Sequence, residues 1–164
     1  MKQKILVYSW TGNTAACAVA LGEQLKAEVE LILEQKEREG SSGFATGGFS
    51  ASIGLSSKLK EKPQTEGVDV LLIGMPVWAG TTPPAINAFF KGAELSGKRV
   101  YAFATQQSEQ KPQKLENKLK RLVTKRGGKF MHLFVLQVPH KQQLSVEASS
   151  SHTAKWAERI KSEI

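Results

Sequence analysis

The chain has 164 residues, 40% of them apolar, a mean hydropathy of −0.28 and a formal charge of +8. That length suits one domain with a substantial core, expected to span residues 1–164. The composition argues against a membrane protein, since no run approaches the roughly 18 apolar residues of a span, and the single cysteine, Cys17, excludes an internal disulfide and leaves the cytoplasm as the expected compartment.

In chain order, Ile5 to Tyr8 form an unbroken apolar run, the pattern of a strand buried on both faces. It ends in a hydroxyl-rich turn, Ser9, Trp10, Thr11, Gly12, Asn13 and Thr14, before a helix predicted over about 14–27. Strand, tight turn and helix make an anion cradle. The first helical amides lack internal partners, the helix dipole adds positive character, and Gly12 admits close approach of a ligand. The turn contains neither the lysine-bearing nucleotide loop nor G-x-G-x-x-G, so a phosphate held by neutral donors is the matching chemistry. The bland alternative is a turn that merely caps its helix through Thr11 or Asn13.

Glu28, Glu30 and Glu34 alternate with Val29, Leu31 and Leu33, which reads as a wetter edge strand. Residues 36–66 are rich in Gly and Ser and read as a long crossover with a short helix near 50–60. Val68 to Ile73 are a second buried strand, running into Pro76, Val77, Trp78, Ala79, Gly80 and Thr81. Pro83 and Pro84 suit the first turn of the following helix. A strand over 99–105 leads to the polar loop beginning Thr105, Gln106, Gln107. The helix over 113–125 sets Leu115, Leu119, Leu122 and Val123 on one face and Lys114, Lys118, Arg121 and Lys125 on the other. A last strand over 129–139 and a closing helix from Ser149, with Trp156, Ile160 and Ile164 on one face, complete the chain. This repeated strand–helix alternation predicts an α/β protein with a doubly wound parallel sheet and helices on both faces.

His132, His140 and His152 have no metal-ligand spacing, and no catalytic triad can be assembled. Residues 91–129 hold eleven Lys and Arg against three Glu, whereas the remainder carries twelve of each sign. The basic helix 113–125 is therefore a solvated face or a docking face for an acidic protein. No nucleic-acid module accompanies it.

The segments Y-S-W-T-G-N-T, D-V-L-L-I-G-M-P-V-W-A-G-T-T-P-P and G-K-R-V-Y-A-F-A-T resemble the flavodoxin family in order and spacing through most of the chain. The resemblance implies a five-stranded sheet in the order 2-1-3-4-5 with FMN where the order reverses. It implies that Ser9, Trp10, Thr11, Gly12, Asn13 and Thr14 hold the FMN phosphate. Trp78 would lie against the flavin ring as an exposed platform. Ala79 and Gly80, after Pro76 and Val77, would face the ring edge, and Thr105, Gln106 and Gln107 would form a third contact. Two features depart from the family: Gln106-Gln107 replaces the Gly or Tyr found in many relatives, and the chain is basic. The outer flavin face is then open, or covered by Phe44 or Phe49. The implied function is electron transfer between FMN and a redox protein, an acidic one by charge. The alternatives are an FMN-dependent NAD(P)H oxidoreductase of the quinone reductase type and a scaffold without FMN affinity.

Overall fold

The computed structural model describes residues 1–36 and 40–164, with side chains described outside 40–45. The elements alternate: β1 (Gln3–Val7), α1 (Asn13–Leu25), β2 (Glu28–Leu31), α2 (Gly40–Ser52), β3 (Val70–Pro76), α3 (Pro84–Gly92), β4 (Arg99–Gln106), α4 (Gln113–Lys125), β5 (Lys129–Gln137) and α5 (Val146–Glu163). The strands form one sheet in the order β2-β1-β3-β4-β5, every neighbouring pair parallel. The expected α/β architecture and strand order are both present.

Alternation along each strand fills two cores. Leu6, Leu71 and Ile73 face Ile86 and Phe90 of α3 and Leu115 and Leu119 of α4. Ile5, Val7 and Leu72 face Cys17 and Leu21 of α1 and Ala157 and Ile160 of α5. Each central strand is thus apolar on both sides, which is why its sequence shows no polar beat. Cys17 is fully buried, and burial pushes its thiol up. His132 packs edge-on against Phe134 with ring centroids 4.6 Å apart, and burial, then Arg159, holds its imidazole below the usual range.

Two expectations are corrected. The crossover helix is α2 at Gly40–Ser52, earlier than the 50–60 anticipated, and one of its glycines, Gly47, serves packing. A Cβ at Gly47 would lie 2.5 Å from Cζ3 of Trp78, so only glycine lets α2 approach that indole. The last helix starts at Val146, because the Ser145 side chain accepts a hydrogen bond from the Ala148 amide at 3.0 Å and caps it.

The sheet edge carries a buried cation. Lys4 is 6% exposed and reaches Glu30 at 2.5 Å and Glu28 at 3.1 Å on β2. Burial works against its charge, but the two carboxylates together raise its pKa above 10.5. On β4, burial and then the hydrogen bond with Glu163 push the Tyr101 phenol up to about 12. Both groups hold their protons more tightly folded than unfolded. The stability they add is therefore fully present below the unfolded values, 10.5 and 10.0, and is lost as pH rises through the raised ones. Urea midpoints measured across this alkaline range should fall with pH, and Tyr101→Phe should flatten part of that fall; an unchanged slope would contradict the assignment.

Candidate functional site

The carboxyl ends of β1, β3, β4 and β5 surround a cavity of about 880 Å³. It lies where the strand order reverses, between β1 and β3, the usual ligand position in such sheets. Its volume is within the range of small-molecule sites, roughly 300–1,000 Å³.

The turn after β1 ends at Gly12, the N-cap of α1, with φ 95°. A Cβ there would meet no atom within 4 Å, so the space in front of this helix end is open. The Gly12 carbonyl accepts from Ala16 at 2.9 Å, and Ser9 Oγ accepts from the Ala15 amide at 3.2 Å. The amides of Asn13 and Thr14 precede the first intrahelical bond and have no helical partner.

The side chains divide into two sets. Asn13 is turned away to a structural task. Its Nδ2 donates to the Gln142 carbonyl at 3.0 Å, and its Oδ1 accepts from the Leu144 amide at 2.8 Å. The Thr14 hydroxyl is buried against Thr105 Oγ1 at 2.7 Å, tying β1's turn to the end of β4. Thr11 is exposed and lines the cavity. Thr11, the open Gly12 and the leading helical amides are therefore the groups placed to hold an anion. Among the described residues, no Asp or Glu lines the cavity, whereas Lys111, Lys114 and Lys141 do, so their electrostatic balance also favours an anion.

The loop after β3 is a tight hairpin. Trp78 and Thr81 exchange backbone hydrogen bonds at 3.1 and 2.9 Å, and Ala79 and Gly80 have φ of 48° and 73°. Two successive left-handed residues make a type I′ turn, which Gly80 adopts freely and Ala79 with strain. A Cβ at Gly80 would meet nothing within 4 Å, so the turn's backbone faces open space.

Trp78 is not the exposed platform expected. It is 4% exposed, covered by α2 at Gly47 and edge-on to Tyr8 at 5.7 Å and Trp10 at 6.1 Å. Beneath it the Tyr8 hydroxyl donates to Glu34 at 2.7 Å. Trp78 reaches the cavity only as part of its wall, and half-buried Trp10 presents more of its ring.

The third loop also lines the cavity. Gln106 Nε2 donates to the carbonyls of Ser108 and Gln110, and Gln107 meets His140 Nδ1 at 3.3 Å. Of the two aromatic covers expected for the outer side, the Phe44 side chain lies outside those described, and Phe49 is 67% exposed, away from the cavity wall. The fourth wall, from Val138 to Gln143, was not anticipated. It is the segment that follows β5, which lies beside β4.

The flavodoxin family model matches residues 45–139, more than half of the chain. The chain belongs to the flavodoxin family. Solved structures share this flavodoxin fold. A candidate flavoprotein from Bacteroides uniformis is 23% identical, with 93% of this chain and 97% of that one covered and a TM-score of 0.74. A flavoprotein from Lactobacillus acidophilus, solved in complex with FMN, is 17% identical over 95% of this chain and 98% of that one, with a TM-score of 0.70. Oxidised flavodoxin 1 from Bacillus cereus is 16% identical over 96% and 98%, with a TM-score of 0.58. No curated protein sequence matches the chain. Among the described residues, no helix is long and apolar enough to cross a membrane.

Proposed function

We propose that this flavodoxin-family protein binds FMN in the cavity and carries electrons between redox proteins. The observation that carries the reading is the open helix end at Gly12, set at the sheet's reversal point in a wall that, among the described residues, has no carboxylate. Thr11 and the leading amides of α1 would hold the phosphate. Lys111, Lys114 and Lys141 would offset its charge. Trp10 would flank the ring with Trp78 buried behind it, and the Ala79-Gly80 turn would present backbone to the ring edge. When bound, FMN supplies one- and two-electron chemistry; the chain's part is to bind, orient and shield it. The flavodoxin from Bacillus cereus and the FMN-bound Lactobacillus protein share the fold, which supports the reading.

Gel filtration after mixing with FMN tests it. Flavin absorbance should elute with the protein, and FMN should quench tryptophan fluorescence. Trp10→Phe should remove more of the quenching than Trp78→Phe, because Trp10 is the more exposed of the two. Elution of protein and flavin apart would refute the proposal.

One observation favours a second reading, an NAD(P)H-dependent reductase. The third loop folds its Gln106 amide onto its own carbonyls and brings no aromatic ring over the cavity, which leaves room beside a flavin. Rapid bleaching of the loaded protein by NADPH, with a quinone as acceptor and no protein donor, would replace the carrier reading with this one.

A further inference from the structure

A second groove, of about 490 Å³, runs between the end of α2, α3 and α4. Six cations line it: Lys91, Lys114, Lys118, Arg121, Lys125 and Arg126. Among the described residues no carboxylate lines it, and none of the six has an ion-pair partner. Arg126 is fixed by donating to the Lys91 carbonyl at 2.5 Å. Half-buried Lys118 is held below the usual lysine range by burial and then by Arg121 and Lys114, so the cluster repels itself.

The other wall sets Ile53 among the polar Ser52, Ser56, Thr81 and Asn87. Ile53 lines the groove and is still 55% exposed; Phe49, one turn before it, is 67% exposed and Leu55 is 51% exposed. Exposed large apolar residues beside uncompensated charge mark an interaction surface. The four cations of α4 that line the groove run along about 16 Å of helix, far longer than one phosphate.

We infer that this groove docks an acidic segment of a protein partner, one that carries an apolar side chain among its carboxylates. Carboxylates along the segment meet the α4 cations, and the apolar side chain covers Ile53. A nucleic acid or a small phosphate would satisfy the charge and leave Ile53 wet. The groove adjoins the flavin cavity: Lys114 lines both, and Gly80 of the cavity precedes Thr81 of the groove. A protein docked here stands at the cavity mouth. What it exchanges there rests on the flavin reading, whereas the docking does not.

The test is fluorescence anisotropy with a labelled peptide of Glu-Glu-Leu-Glu repeats, added to the full chain with and without FMN. In about 0.01 M salt, where the Debye length is about 30 Å, the peptide should bind, and about 0.15 M salt should weaken it. Lys118→Glu with Arg121→Glu should weaken binding about tenfold or more, since like charges now face the peptide. Ile53→Ser should weaken it by a smaller factor and remove the preference over an all-glutamate peptide. Lys155→Glu with Lys161→Glu, the same charge change on α5, should leave it unchanged. Circular dichroism checks the fold, and the single Lys125→Glu at an exposed site should act in the same direction. Equal weakening by the two double variants would overturn the groove, leaving only net charge. Better competition by pyrophosphate or by a DNA strand of equal charge would overturn the acidic-protein assignment. FMN titration of the Lys118/Arg121 variant should match the original chain, so a failure of docking and a failure of flavin binding are read separately.

Discussion

Phe103→Ala should lower the unfolding free energy by about 3–5 kcal/mol, as burying and then deleting a phenyl ring does. Phe103 is fully buried on β4 and packs against Trp156 of α5, with ring centroids 6.1 Å apart. Its ring also covers Gly74 on the paired strand β3, where a Cβ would land on the ring. Glycine has no side chain to relax into the space, so truncation leaves most of the cavity empty. The pair makes a further prediction. Gly74→Ala alone should destabilise by overpacking, typically about 1–3 kcal/mol. In the Phe103→Ala background the new methyl fills part of the hole, so the same change should cost less. Urea denaturation of the four proteins gives the coupling; simple additivity would contradict this packing.

The second large effect is on ligand affinity. Thr11→Ala should weaken FMN by roughly ten- to a hundredfold, the value of a charge-assisted hydrogen bond of about 1.5–3 kcal/mol. Gly12→Val should weaken it further. At φ 95° a β-branched residue is strained, so the turn shifts and its amides lose their aim. Riboflavin lacks the phosphate and should bind both variants nearly as it binds the original chain. Thr14 is a poor site for this test, because its hydroxyl pairs with Thr105 and its loss also loosens β1's turn from β4. Equal loss of both ligands in Thr11→Ala would place the phosphate elsewhere.

The individual elements were readable because each follows from a local pattern, whereas the strand order and the cavity's position came from the family resemblance. The apolar run before Ser9, the proline pair at 83–84 and the leucine stripe of α4 each report their own element. What stayed hidden depends on contacts distant along the chain. The glycines of α2 suggested a loop, because the reason for Gly47, the indole of Trp78, is thirty-one residues away. The same contact reverses the reading of Trp78 from exposed platform to covered wall. The resemblance placed Asn13 with the phosphate-holding turn; its side chain's partners, Gln142 and Leu144, come from beyond β5. Those bonds also bring the 138–143 wall to the cavity, which no spacing in the sequence announces.

Calorimetric titration of the purified, flavin-free chain with FMN and with riboflavin, side by side, tests the central claim most directly. FMN should bind with one-to-one stoichiometry and at least about tenfold more tightly than riboflavin, since the phosphate meets the amides and Thr11 at the open end of α1. No binding of FMN, or equal affinity for the two ligands, would contradict the account.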